Sequence, residues 1–156
     1  MIENILVVCV GNICRSPLAE ALLRQAFQDE NDVSVSSAGL GALVDYSAAE
    51  HAEVLMAERG LDISGHKARQ LTPDLIHASD LILVMETRHK RAIDDEDATA
   101  RGKVYRLCEW QDKDIPDPFR LPRESFEKTL LLIEQGVQDW VERIKASRSQ
   151  KKGTNE

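Results

Sequence analysis

Six apolar residues in a row, Ile5-Leu6-Val7-Val8-Cys9-Val10, stand between an asparagine and a Gly11-Asn12 pair. Short, rich in β-branched side chains and lacking polar alternation, such a run suits a strand buried on both faces of a parallel sheet. Gly11-Asn12 breaks it. Ser16-Pro17 then offers an N-cap followed by proline at the first helical position. Leu18, Leu22 and Ala26, with Ala19, Leu23 and Phe27, repeat every four residues and predict an amphipathic helix to about Asp29.

The rest of the chain continues the alternation. Residues Val33 to Ser37 alternate at period two and predict a second strand, ended by Ala38-Gly39. Ser47 and Glu50 have capping-box spacing, Val54 and Leu55 supply apolar positions, and Gly60 sits where a helix C-cap glycine is wanted. Thr72-Pro73 opens a short helix, Leu81 to Met85 is a third buried strand, and a helical stretch runs from about Glu86 to Ile93. Val104 to Leu107 is the fourth strand, and three prolines make Asp112 to Pro122 a loop. Phe126, Leu130, Ile133, Val137, Trp140, Val141 and Ile144 then mark a long amphipathic helix, with a polar, frayed tail expected from Lys145 to Glu156. The predicted fold is α/β: a single domain over residues 1–147 with a four-stranded parallel sheet flanked by helices, flavodoxin-like, and a disordered tail over 148–156. In such sheets ligands sit at the carboxyl ends of the strands, which directs attention to the turn after the first one.

Composition narrows the function. At 156 residues, 42% hydrophobic and 30% charged, the chain suits one globular domain. A formal net charge of −7 argues against nucleic-acid binding, so any phosphate site must be local. The acidic run Asp94 to Asp97 reads as a solvated loop. No apolar run approaches the ~18 residues of a membrane span, and the first residues lack signal-peptide character, so a cytoplasmic location without membrane insertion is expected. Three cysteines, Cys9, Cys14 and Cys108, suit a reducing compartment. His51, His77 and His89 read as surface or helix residues, and neither a metal nor another cofactor is expected.

The segment Cys9-Val10-Gly11-Asn12-Ile13-Cys14-Arg15-Ser16-Pro17 ends a strand with a cysteine and sets an arginine six residues on at a helix start. Backbone N–H groups of a short loop curling into a helix N-terminus form an anion nest, and the helix dipole adds partial positive charge. The same field favours thiolate over thiol, which would make Cys9 a nucleophile. The planar fork of Arg15 can hold two phosphate oxygens and follow them as the phosphoryl group flattens. Ser16 is placed to cap the helix, alone or together with a hydrogen bond to the Cys9 sulfur. Cys14, five residues from Cys9, either packs under the loop or forms a protective disulfide with oxidised Cys9.

This segment resembles the signature of the low-molecular-weight protein tyrosine phosphatases, and Ile115-Pro116-Asp117-Pro118-Phe119 resembles the Asp-Pro-aromatic triplet of that family. The resemblance implies hydrolysis of phosphotyrosine through a phosphocysteine on Cys9, with Asp117 as general acid and then base. It implies that Asn12, in a left-handed conformation, is fixed by Ser37 and His66, although His66 also reads as an ordinary polar loop residue. Leu40, Tyr46 and Phe119 are expected to wall the slot for the substrate ring; Tyr46 and Phe119 equally suit packing. The stretch from Ser37 to Val44 is similar to the bacterial branch that acts on tyrosine autokinases controlling capsule and exopolysaccharide export, so the expected partner is the cytoplasmic part of a membrane autokinase. Arsenate reductases share the fold and the Cys-x5-Arg loop but relay a disulfide through two closely spaced downstream cysteines, and only Cys108 follows here. Arginine phosphatases tend to carry threonine in place of Ile13. A non-catalytic phosphotyrosine reader would have no use for Asp117.

Overall fold

Four segments, β1 (Asn4–Cys9), β2 (Ser34–Gly39), β3 (Leu81–Val84) and β4 (Val104–Arg106), form one parallel sheet in the order β2-β1-β3-β4 in a computed structural model that describes residues 1–154. Both faces are covered, which is why β1 carries apolar residues at both parities. Ile5, Val7 and Cys9 pack with α1 (Arg15–Ala26), α2 (Glu50–Glu58) and α5 (Arg123–Thr154). Leu6 and Val8 pack with Ile76 of α3 (Pro73–Ala78), Ile93 of α4 (Thr87–Glu96) and Ala100 of a short 3-10 turn (Ala98–Ala100). Each aliphatic side chain of β1 so buried contributes about 1.5–3 kcal/mol.

Helix ends follow the sequence signals unevenly. Thr72 caps α3 by accepting from the Leu75 N–H at 3.3 Å. Gly60, at φ 76°, closes α2: its N–H donates to Ala57 O at 3.0 Å and that of Leu61 to Met56 O at 2.9 Å, the paired bonds of a Schellman ending. Two expected caps are corrected. Helix α1 starts at Arg15 with Cys14 at the N-cap, so Ser16 and Pro17 lie inside the first turn and no side chain caps it; the Ser16 hydroxyl is engaged elsewhere, as described below. Helix α2 starts at Glu50 with Ala49 at the N-cap and without the Ser47 box, because the Ala49 N–H is committed to Ile13 O at 2.8 Å and fixes where the helix begins.

The polar stretch from Lys145 does not fray over the described residues: α5 continues to Thr154, and the 147/148 division falls inside it. Arg148 supplies a reason, being buried with its guanidinium on Ile2 O at 2.7 Å and beside Asp32 and Glu30. A periodicity argument counts only apolar residues and so misses an arginine buried by ion pairs. Residues 155 and 156 lie outside the described residues.

Gly136 sets how closely α5 approaches the end of β4. A Cβ there would meet Leu107 O and Leu107 Cγ, each at 2.8 Å. Because one contact is backbone, Gly136→Ala should destabilise the fold by about 1–3 kcal/mol, read as a lower denaturation midpoint in urea. An unchanged midpoint would mean that α5 is free to shift.

Candidate active site

Strand β1 is flanked by β2 on one side and β3 on the other, so the connections leaving it diverge. The crevice at such a switch point is where an open parallel sheet binds ligands, and here it is occupied by the loop from Cys9 to Arg15. The carbonyls of that loop are taken up from outside. Those of Cys9, Val10, Gly11 and Ile13 accept from the N–H groups of Leu40, Gly41, Leu43 and Ala49 at 2.8–3.0 Å, and that of Asn12 accepts from His66 Nε2 at 2.6 Å. In a trans peptide the following N–H points the opposite way. The N–H groups of residues 10–14 therefore face the interior of the loop, and those of Gly11 to Cys14 have no protein acceptor among the described residues. This is an anion nest leading into the N-terminus of α1.

Asn12 holds the loop in shape from within. It is fully buried at φ 61°, a region that asparagine tolerates better than most residues. Its Oδ1 accepts from the Arg69 N–H at 2.9 Å, and its Nδ2 donates to Ser16 Oγ at 2.7 Å and Ser37 Oγ at 2.9 Å. Ser37 reaches it from β2. His66 and Arg69 reach it from a segment that bridges to Gly39 beside that strand. Ser16 Oγ lies 3.0 Å from Cys9 Sγ.

Arg15 is 1% exposed. One edge is fixed, with Nη1 donating to Glu86 Oε2 and to Ile115 O, both at 2.7 Å. Nε has no hydrogen-bond partner, and Nη2 lies 3.7 Å from Asp117 Oδ2. The edge carrying those two nitrogens has the geometry for two oxygens of a tetrahedral anion. Burial opposes the charge of Glu86, but hydrogen bonds from Arg15 and Arg88 outweigh it and hold its carboxyl below the usual range. His89 sits beneath this pair. Its Nδ1 accepts from the Glu86 N–H at 3.2 Å, and burial, reinforced by the Arg15 charge, pushes its pKa down to about 4, so the ring stays neutral.

A cleft of ≈ 370 Å³ above the loop is lined by Cys9, Cys14, Arg15, Leu43, Tyr46, Asp117, Phe119 and Arg120 among others. Tyr46 is 62% exposed and Phe119 41%, leaving apolar ring surface for a bound aromatic group to cover. Leu40 is not a wall. It continues the two-residue period of β2 beyond Ala38 and packs with it on the α3 and α4 side, and Leu43 faces the cleft instead. Sequence reasoning also missed Glu86, Arg69 and Arg120; the last, at φ 64°, lays its guanidinium 5.1 Å from the centre of the Phe119 ring. Asp117 Oδ1 accepts from the Phe119 N–H at 3.0 Å, a local turn that holds the other oxygen towards Arg15. Cys14 shares the cleft, and burial, with smaller contributions from Asp117 and Cys9, pushes its thiol up to about 12. A larger groove, ≈ 840 Å³, lies behind the loop and is lined by none of the cysteines. The smaller cleft is where the Cys9 thiol, the Arg15 guanidinium and the Asp117 carboxylate meet.

A cysteine over a backbone anion nest, with a buried arginine and a carboxylate at its mouth, is the arrangement of a cysteine-dependent phosphatase. Residues 4–150 match the model of the low molecular weight phosphotyrosine protein phosphatases. The chain belongs to this family and is an enzyme, a low-molecular-weight protein-tyrosine-phosphatase. It is 51% identical to the probable low molecular weight protein-tyrosine-phosphatase EpsP of Ralstonia solanacearum, over 94% of this chain and 99% of that one. The tyrosine phosphatase Wzb of Escherichia coli, solved in complex with sulphate, is 41% identical with TM-score 0.86, covering 92% of this chain and 99% of Wzb. The YwlE arginine phosphatase of Geobacillus stearothermophilus is 30% identical with TM-score 0.88, covering 95% and 96% of the two chains.

Proposed function

We propose that Cys9, Arg15 and Asp117 carry out a two-step hydrolysis of phosphotyrosine on a protein. Phosphate oxygens bind the N–H groups of residues 10–14 and the Nε and Nη2 edge of Arg15. The Cys9 sulfur attacks phosphorus, the bond to the tyrosyl oxygen breaks, and Asp117 gives that oxygen its proton. Water then attacks the phosphocysteine, Asp117 takes the proton, and the S–P bond breaks to return the sulfur and release phosphate. Ser37 and His66 brace the loop through Asn12, Ser16 donates to the departing sulfur, and Leu43, Tyr46 and Phe119 flank the ring. The observation that carries this reading is the buried Arg15 guanidinium, fixed on one edge by Glu86 and Ile115 and open on the other towards Cys9 and Asp117.

The protein substrate is a tyrosine autokinase of exopolysaccharide or capsule export, dephosphorylated on its cytoplasmic part. Support comes from similarity to the bacterial branch of the family, EpsP and Wzb among its members. Purified protein is expected to release phosphate from phosphotyrosine peptides and from the phosphorylated autokinase domain. Phosphoarginine hydrolysis or arsenate reduction in its place would overturn the assignment.

Cys9 and Cys14 form a reversible redox pair. Peroxide oxidises Cys9 to the sulfenic acid, the Cys14 sulfur attacks it with loss of water, and added thiol reduces the disulfide and restores activity. Because the Cys14 thiol is pushed up to about 12, the disulfide should form faster as pH rises towards that value. Mass spectrometry of peroxide-treated enzyme should find the Cys9–Cys14 peptide. If it is absent and thiols restore nothing, Cys14 only packs the loop.

A further inference from the structure

The hydrogen bonds around Asn12 have a direction, and it begins at a carboxylate outside the loop. Glu20, on α1, accepts from the Ser37 hydroxyl, and its other oxygen is held by Arg24 Nη2 at 2.9 Å. An ionised carboxylate can only accept, so the single hydroxyl hydrogen of Ser37 points to Glu20 and its lone pair is left for Asn12. The Asn12 amide cannot flip, because its Oδ1 is committed to the Arg69 N–H. Both Nδ2 hydrogens are thereby donated, one to Ser37 and one to Ser16. With its oxygen accepting from Asn12, Ser16 has its hydrogen left for Cys9 Sγ, 3.0 Å away.

We infer that Glu20 is a positioning residue for the second half of the reaction: through Ser37 and Asn12 it keeps the Ser16 hydroxyl hydrogen on the Cys9 sulfur. The inference rests on the phosphocysteine reading above. A donor to sulfur acts oppositely in the two steps. Phosphorylation consumes negative charge on the sulfur, so the donor does not help it; hydrolysis of the phosphocysteine creates that charge, so the donor does. A glutamine at position 20 has one acceptor oxygen for two donors, Ser37 and Arg24, and must turn an N–H towards one of them. When Ser37 meets the N–H, its hydrogen turns on Asn12 and disorders the Ser16 bond.

The test is rapid-quench kinetics of Glu20→Gln with an aryl phosphate, timing phosphocysteine formation and breakdown separately, beside vanadate binding. Breakdown should slow by roughly three- to tenfold, formation should not slow, phosphoenzyme should accumulate and vanadate affinity should hold. The same substitution in a Ser37→Ala background should cost nothing further, since the hydroxyl it misdirects is gone. Equal slowing of both steps with weaker vanadate binding would reduce Glu20 to a structural brace, and full additivity with Ser37→Ala would remove Ser37 from the path. Absence of any phosphocysteine in the unsubstituted enzyme would instead sink the proposed mechanism, an outcome distinct from both.

Discussion

Cys9→Ser should lose turnover by on the order of 10⁴-fold or more while still binding vanadate. The nest depends on carbonyls held by Leu40, Gly41, Leu43, Ala49 and His66, and Arg15 depends on Glu86 and Ile115. None of these contacts involves the sulfur atom. Serine is smaller by little and keeps a hydrogen-bonding atom near Ser16, so the loop is expected to stay formed. What is lost is the sulfur nucleophile, and with it the covalent intermediate. Phosphate release from phosphotyrosine and vanadate titration, measured on the same preparation, check both halves. Retention of a tenth of the activity would remove Cys9 from the mechanism.

Asp117→Asn should separate substrates by their leaving groups. A tyrosyl phenolate, with a pKa near 10, leaves poorly without a proton, whereas a nitrophenolate needs the acid less. Phosphorylation of Cys9 from phosphotyrosine should slow by roughly 10²- to 10⁴-fold and from the activated ester much less. Asparagine retains an Oδ1 to accept from the Phe119 N–H, so the turn that aims the side chain survives. Steady-state rates mix this step with hydrolysis of the phosphocysteine, which Asp117 is also proposed to assist, so the burst must be timed. Equal slowing with both substrates would assign Asp117 to substrate binding. The neighbouring carboxylates offer no easy substitute: Asp112 is paired with Arg106, and Asp114 with both Arg106 and Thr87.

Much of this was open to inspection in the chain because the deciding contacts are local. The run from Ile5 to Val10 has the composition of a two-face-buried strand, and Gly11-Asn12 allows the tight turn. With five residues between Cys9 and Arg15, both belong to one loop wherever the rest of the chain goes. The period in α5 and the glycine at the end of α2 likewise depend on neighbours a few residues away. Asp117 was reached differently: its own residues fit a loop turn as well as an acid, and similarity to a family supplied the role proposed for it.

Tertiary structure decided which distant groups meet the loop. Glu86 and Ile115 bond Arg15 across 71 and 100 residues of chain, and Arg148 reaches Ile2 across 146. Nothing in their local spacing announces a partner, because parallel strands are joined by long crossovers and the strand order β2-β1-β3-β4 determines which ends lie side by side. The same closure drew Ser16 away from capping, turned Leu40 to the far face of the sheet and presented Leu43 to the cleft. Sequence by itself determined that a thiol and a guanidinium share one nest, since a short loop and a helix start are encoded by adjacent residues. Only the packed sheet determined what holds that guanidinium still and which hydroxyl faces the sulfur, since buried polar groups take their partners from whatever the fold brings within hydrogen-bonding reach.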